Sequence, residues 1–105
     1  MQEKKYLERN GQTFKIQLYY SLGGMNYFQS VNEKRGYYFA VTPVKITKLE
    51  GGFQSEQSTA FSGTKVLILE TKRQSQKGFN EAKKLVEESN WEEKLIENVI
   101  KKNNL

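Results

Sequence analysis

Apolar and polar residues alternate along much of this chain, which is the pattern of β-strands that bury one face. The alternation is clearest over residues 13–20 and 37–46, which predicts two long strands. Residues 65–72 form another predicted strand, and its centre at 66–69 is apolar on both faces, as in a central, covered strand. Weaker patterns predict shorter strands, at 4–9, 25–30 and 53–61.

Short turns separate these predicted strands. Asn10-Gly11 favours a tight hairpin turn, because a type I′ turn needs positive φ angles at both central positions. Pro43 has no N–H to donate to a strand ladder, so we expect it at a sheet edge or in a bulge. The other predicted breaks are Gly23-Gly24, the polar loop 32–36, Gly51-Gly52 and Ser62-Gly63.

Two helices are predicted at the C-terminal end. Ser75 is a suitable N-cap for the first, and Asn90 with Glu93 approximates a capping box that begins the second. Their apolar stripes are Phe79, Ala82, Leu85 and Val86, and Trp91, Leu95, Ile96, Val99 and Ile100. We therefore predict a single α+β domain, residues 1–105. It consists of an antiparallel β-meander of about five or six strands (1–74) with two helices (75–105) packed on one face.

The residue types that the chain lacks limit its chemistry. Without Cys there is no thiolate nucleophile, disulfide or zinc–thiolate site. Without His the chain lacks the commonest general base and metal ligand. Its acidic residues are all Glu, with no Asp. We therefore expect a binding protein that is not an enzyme and that uses no cofactor or metal.

The net charge of +5 is unevenly placed along the chain. Residues 1–74 carry eleven Lys and Arg against six Glu, whereas residues 75–105 carry six Lys and six Glu. A basic, aromatic-rich sheet suits a polyanion, although +5 is also an ordinary charge for a solubilising surface. The charged N-terminus and the short apolar run at 66–69 predict a cytoplasmic protein with no signal peptide and no membrane segment.

The predicted partner is a nucleic acid, with RNA the expected form, or a nucleoprotein. Lys and Arg side chains would contact phosphates, and tyrosines would stack on bases. The candidates for phosphates are Lys15, Lys34, Arg35, Lys45, Lys48, Lys72 and Arg73, and those for bases are Tyr19, Tyr37 and Tyr38. Lys72 and Arg73 precede the first predicted helix, whose N-terminal N–H groups can hold an anion, although an ordinary solvated corner would look the same.

Residues 35–41 are similar to the signature of the RNA-recognition motif, in which strand aromatics stack on unpaired bases. Two positions depart from that signature, because Tyr38 replaces a small residue and Ala40 replaces Val. The order of predicted elements also differs, since no helix separates the first two strands. The family is therefore not assigned, and only the idea of a basic, aromatic strand face is kept.

The end of the apolar strand resembles a second known motif. Glu70-Thr71-Lys72 is similar to the strand end of restriction-endonuclease-like nucleases, where a carboxylate and a lysine organise a metal ion and a water. Such a site needs another acidic residue, and Glu50 or Glu56 would have to supply it. A metal-dependent nuclease is therefore the least favoured alternative.

Residues 35–44 and 59–77 resemble a group of small uncharacterised proteins of phages and mobile elements in anaerobic and gut-associated bacteria. The resemblance implies a mobile-element origin and action in the host cytoplasm. Small domains without catalytic residues often block host defence there, by occupying a nuclease or its guide RNA. The alternative function is therefore a protein-binding inhibitor, such as an anti-CRISPR that occupies a host nuclease. The sequence fits a monomer or a homodimer.

Overall fold

The structure, a computed structural model, describes residues 2–26 and 31–105. Its strands are β1 (Glu3–Arg9), β2 (Gln12–Ser21), β3 (Gly24–Asn26), β4 (Val31–Glu33), β5 (Gly36–Lys48), β6 (Gln54–Ser58) and β7 (Thr64–Glu70), and its helices are α1 (Gln76–Glu88) and α2 (Trp91–Asn103). A short 3₁₀ helix at Glu50–Gly52 joins β5 to β6. The predicted α+β class, an antiparallel sheet with two C-terminal helices on one face, is confirmed.

The main sheet is built around β5, its longest strand. On one side β2 pairs with β5, and β1 continues the sheet beyond β2. On the other side β7 pairs with residues 36–41 of β5 and β6 pairs with residues 44–48, so these two short strands lie end to end. β3 and β4 form a separate two-stranded sheet. The chain is thus a meander with a small hairpin inserted between β2 and β5.

Positive φ angles explain two of the turns. Asn10 and Gly11 have φ angles of 55° and 76°, as a type I′ turn requires, and they join β1 to β2 as predicted. Gly51 and Gly52 have φ angles of 79° and 83°, a region that glycine enters without strain. The long hairpin of β5 and β6 reverses there, as the sequence indicates.

The core lies between one face of the main sheet and the two helices. Its buried residues are Phe14, Ile16 and Leu18 of β2, Tyr37, Phe39 and Val41 of β5, Phe79 and Ala82 of α1, and Leu95, Ile96 and Val99 of α2. The strand residues in this set occupy alternate positions, because successive side chains of a strand point to opposite faces. Apart from Leu85, every residue of the two predicted helical stripes belongs to this core or packs against it.

Polar contacts fix α2 across the sheet. At its start, Arg9 of β1 donates two hydrogen bonds to the Glu93 carboxylate, at 2.6 and 2.7 Å. At its end, the Asn103 side chain exchanges hydrogen bonds with the backbone of Ser62, just before β7. α2 therefore runs from the β1 edge of the sheet to the β7 edge, and the two parts predicted from the sequence share one core.

Pro43 lies in the central strand rather than at a sheet edge. The Thr59 hydroxyl donates to the Pro43 carbonyl at 3.4 Å. The N–H that proline lacks would point to the same side, because the two polar groups of a strand residue share one direction. On that side the ladder is interrupted between Ser58 of β6 and Thr64 of β7. The proline therefore faces a gap in the pairing, where no donor is needed.

β7 is an edge strand, which corrects its predicted central position. It pairs with β5 and with no other strand among the residues that the structure describes. Its apolar residues 66–69 each remain partly exposed. A bulge interrupts the register, since Tyr38 pairs with Leu67 and Tyr37 pairs with Leu69, so that Ile68 is the additional residue.

Two smaller predictions are wrong, and a third is tested only in part. Residues 31–33 are strand β4, although a polar loop was predicted over 32–36. Only part of the predicted strand 25–30 is seen as β3, and residues 27–30 lie outside the described residues. The capping box is wrong, because Asn90 has a φ of 52° and its side chain makes no capping hydrogen bond, while Glu93 binds Arg9 instead.

Gly36 permits the close approach of β7 to the start of β5. A Cβ at this position would collide with the Leu69 carbonyl oxygen and lie 3.0 Å from the Glu70 Cα. We expect Gly36→Ala to lower the free energy of unfolding by about 3 kcal/mol in a urea titration, because the backbone must shift. Gly11→Ala is the control, since it meets no atom within 4 Å and strains only a positive φ, for about 1 kcal/mol. Equal losses in the two variants would contradict the close-approach argument.

Candidate nucleic-acid interface

Two pairs of cationic residues that are distant in sequence meet at one end of the sheet. Lys34 and Arg35 precede β5, and Lys72 and Arg73 follow β7. The pairing of these strands continues past their ends, where the Thr71 N–H donates to the Arg35 carbonyl at 3.1 Å. We call these four cations the basic end. It unites four of the ten residues that the sequence analysis selected.

Two tyrosines of the sheet anchor the loop between β7 and α1. The Tyr20 hydroxyl donates to the Thr71 carbonyl at 3.1 Å. The Tyr37 hydroxyl donates to the Ser75 carbonyl at 2.8 Å and accepts from the Ser75 N–H at 3.0 Å. The Ser75 side chain also caps α1, as predicted. The loop that carries two cations of the basic end is therefore fixed at both of its ends.

The Arg35 side chain is oriented by the backbone of the chain before β3. Its Nε donates to the Leu22 carbonyl at 3.0 Å. Within residues 2–26 and 31–105, its two terminal nitrogens make no hydrogen bond. A guanidinium held in this way can still donate in parallel to two oxygens of a phosphate, which a lysine does only as a point charge.

The carboxylates near the basic end neutralise little of its charge. The Lys34 ammonium lies 3.7 Å from the Glu70 carboxylate, and both side chains are more than half exposed, so this pair is weak. The neighbouring Glu33 binds Lys65 at 2.6 Å instead. An open groove at this point is lined by Lys34, Arg35, Glu70, Thr71 and Lys72. The basic end therefore presents a net positive charge around a groove.

A stacked aromatic pair lies next to the basic end, on the sheet face opposite the helices. The rings of Tyr19 and Tyr38 are 6.1 Å apart and inclined by 22°. The Lys65 ammonium lies 5.3 Å from the Tyr38 ring centre, and the Tyr38 hydroxyl donates to the Lys34 carbonyl at 2.6 Å. Tyr38 is only 6% exposed, whereas Tyr19 keeps partial exposure. Burial raises the pKa of both tyrosines. Tyr19 is thus the ring that a base can reach.

Lys15 lies on the same face but is engaged within the protein. The Glu56 carboxylate of β6 accepts hydrogen bonds from Lys15 at 2.6 Å and from the Tyr6 hydroxyl at 2.5 Å. These two donors, Lys15 first, hold the pKa of Glu56 below its ordinary value. The cluster links β1, β2 and β6 across the central strand, so Lys15 does not join the basic end.

Three further predicted residues do not contribute to the surface of the basic end. Tyr37 is fully buried in the core, where it cannot stack on a base, and this corrects the expectation from the sequence. Lys45 and Lys48 are exposed near the far end of β5, about 30 and 40 Å along the strand from its start. They point to opposite faces, because they are three residues apart in one strand.

The carboxylates considered for a nuclease site do not meet. Glu70 lies opposite Gly36, whereas Glu56 lies opposite Ile46, which is about 34 Å farther along β5. Glu50 follows the end of β5 and is more distant still. Within the described part of the chain, no group of three or more metal-ligating side chains is assembled.

Among the helices of the described residues, none combines the length and the apolar character that a membrane crossing requires.

A separate cavity of about 300 Å³ lies between β1 and the junction of the two helices. Its rim includes the ion pairs of Lys5 with Glu92, at 2.5 Å, and of Lys83 with Glu3, at 3.1 Å. A fifth charged residue, Glu87, also lines it, so the carboxylates there outnumber the ammonium groups. The cavity does not suit a polyanion, and the basic end remains the better candidate.

Tyr20 and Lys65 belong to this region and were not selected from the sequence. Alternation places Tyr20 on the core face, but its contact with Thr71 depends on where the chain returns after β7. The signal for Lys65 is its alternation with Leu67, which puts both on the face of Tyr38 once the pairing of β5 with β7 is known.

No family model, curated protein or solved structure matches this chain.

Glu56→Gln tests the cluster of Glu56 with its two donors. Because Lys15 and Tyr6 lower the folded-state pKa of Glu56 below 4.5, its ionised form stabilises the fold above that pH. This stabilisation is lost as the pH falls through the lower, folded-state pKa. Urea titrations should show the variant about 0.5–1 kcal/mol less stable at pH 7, with a difference that shrinks below about pH 4. A difference that does not change with pH would contradict the proposed role of the carboxylate.

Proposed function

We propose that this chain is a non-enzymatic nucleic-acid-binding protein that holds RNA, free or within a nucleoprotein, at the basic end. The observation that carries the proposal is the meeting of Lys34 and Arg35 with Lys72 and Arg73 across paired strands. Hydrogen bonds fix the segments that carry these cations, so little conformational entropy is lost when they bind phosphates. Cations carried on fixed segments around an open groove fit the backbone of a polyanion.

The aromatic neighbour of the basic end favours single-stranded nucleic acid. Tyr19 is partly exposed, and its stacking partner Tyr38 is hydrogen-bonded to the Lys34 backbone, so ring and cations lie side by side. A base can stack on such a ring only when it is unpaired, and stacking contributes about 1–3 kcal/mol for each base. A single strand can therefore use the ring and the cations together, whereas a duplex can use only the cations.

The proposed setting is the host cytoplasm, with a phage or mobile element as the source. It is supported by the resemblance of residues 35–44 and 59–77, which include the start of β5, β7 and the loop before α1. In that setting, the RNA bound at the basic end would belong to a host defence nucleoprotein, and occupying it would block the nuclease.

The affinity for RNA should depend steeply on salt. Four phosphate contacts to a single strand give a slope of about 2.8 in the logarithmic plot of affinity against salt. Raising the salt from about 50 to 200 mM should therefore weaken binding about 50-fold, measured by fluorescence anisotropy with a labelled single-stranded RNA of about 12 nucleotides. No binding at the lower salt concentration, or an affinity that stays the same at the higher one, would contradict the proposal.

Removal of two cations from the basic end should lower both the affinity and its salt dependence. Lys72→Ala/Arg73→Ala should weaken RNA binding at least 10-fold and reduce the salt slope by about 1.4, since two phosphate contacts are lost. Lys84→Ala/Lys101→Ala is the matched control, because it removes the same charge from exposed positions on α1 and α2. The control should retain most of the affinity, and equal losses in the two variants would exclude a defined site.

Tyr19→Leu separates stacking from charge. The variant keeps an apolar side chain on β2 but removes the ring, so it should weaken single-stranded RNA binding about 10-fold and leave duplex binding unchanged. Tyr6→Leu is the control, because Tyr6 is an exposed tyrosine on the same face, directed toward Glu56. If both variants lose the same affinity, or neither does, Tyr19 does not stack on a base.

A protein partner is the second candidate, favoured by a different feature. Leu49 and Phe53 flank the turn between β5 and β6 and are 52% and 70% exposed. Neighbouring exposed apolar side chains at a hairpin tip suit insertion into a partner, as an inhibitor of a host nuclease requires. Affinity purification from nuclease-treated host lysate should then recover a protein with the wild-type chain and lose it with Phe53→Ser. Recovery of RNA alone would count against this candidate.

A further inference from the structure

We propose that β7 pairs antiparallel with β7 of a second copy of this chain, which joins the two main sheets into one. The sequence of β7 does not match its position in the sheet. Residues 66–69 are apolar on both faces, which is typical of a covered strand, yet β7 forms an edge and all four residues are partly exposed. An unpaired apolar edge is a template for the addition of another strand.

The backbone of β7 directs alternate residues toward its free edge. The Thr71 N–H bonds to the Arg35 carbonyl, so the odd-numbered residues of β5 turn their backbone groups toward β7. The β7 residues opposite them, which face β5, are Thr64, Val66 and Leu69, and those that face the free edge are Lys65, Leu67 and Glu70. Among the residues that the structure describes, none pairs with this edge, so it carries three residues with available backbone donors and acceptors.

These three residues are self-complementary in an antiparallel register centred on Leu67. A twofold axis through that position places Leu67 opposite Leu67 of the second copy. It also places Lys65 opposite Glu70 of the second copy, because the extra residue Ile68 makes Glu70 the next outward residue after Leu67. Opposite charges that face each other across strands stabilise the pairing, and like charges would oppose it.

The same register matches the apolar residues on the helix side. Val66 and Leu69 both pack against the core, and each would lie opposite the other of the second copy. On the other face, the two Leu67 side chains would meet at the axis. Val66, Leu67 and Leu69 thus each gain an apolar neighbour. A second copy fits the edge better than an unrelated strand, because the charges and the apolar residues are matched by symmetry.

The mass of the chain in solution tests the dimer. Sedimentation equilibrium should give a mass that rises with concentration from 12.2 kDa toward twice that value. Glu70→Lys would place a lysine opposite Lys65 of the second copy and should weaken the dimer at least 10-fold. Glu88→Lys makes the same charge change at an exposed position near the end of α1 and should leave the dimer intact. A monomer at all concentrations would overturn the proposal.

Amide hydrogen exchange identifies the edge independently of charge. The Leu67 N–H faces the free edge and should gain protection as the concentration rises, whereas the Val66 N–H is already in the ladder with β5 and should not change. A dimer that leaves the Leu67 amide unprotected and withstands Glu70→Lys would have its interface elsewhere, and would equally overturn the proposal.

Dimerisation through β7 does not depend on nucleic-acid binding, and Glu70→Lys distinguishes the two. This substitution removes the Glu70 carboxylate, which lines the groove of the basic end, so it should strengthen RNA binding while it weakens the dimer.

Discussion

The pairing of β7 with the first residues of β5 is the contact on which the rest of the site depends. Gly36 allows the two backbones to approach, and the bulge at Ile68 absorbs the change in register that follows. The hydrogen bond of Thr71 to Arg35 continues this pairing into the loops. The same approach brings Ser75 to the buried Tyr37 hydroxyl, which sets the start of α1. The close approach of β5 and β7 therefore determines both the start of α1 and the position of the basic end.

The distribution of ion pairs explains why positive charge remains at one end of the molecule. Carboxylates of α2 form ion pairs with cations of β1, since Glu92 binds Lys5 and Glu93 binds Arg9. On the opposite face of the sheet, Glu56 forms an ion pair with Lys15. Exposed pairs of this kind contribute little to stability, but each one cancels a charge locally. Within the described residues, the one ion pair of the basic end is the weak pair of Lys34 with Glu70, so the positive charge there is largely uncompensated.

Local periodicity predicted the elements of this fold well, because alternation and helical spacing are properties of short segments. The sequence could not predict β7 at an edge, since apolar residues on both faces describe a covered strand regardless of where the sheet ends. The predicted capping box at Asn90 was wrong for a related reason. Its left-handed conformation, φ 52°, follows from the joint between two helices, whereas the motif resembled an isolated N-terminus.

The candidate site was predictable in part. Charge and aromatic content predicted a basic sheet face. Which residues share a face or an end of the sheet depends on the tertiary fold, which local patterns do not specify. Tyr37 is in the core because alternation with Phe39 and Val41 puts it there, a sign that was present in the sequence. By contrast, the meeting of Lys34 and Arg35 with the residues after β7 required the strand register, which nothing local specifies.

The central claim is that the basic end is the surface that binds RNA. An NMR titration of the ¹⁵N-labelled chain with a short single-stranded RNA at low salt tests it most directly. Binding at the basic end predicts that the amides of Arg35, Lys72 and Arg73 shift first, together with that of Tyr19, and that the hairpin tip at Phe53 stays unchanged. Shifts confined to the tip, or spread evenly over every exposed lysine, would contradict it.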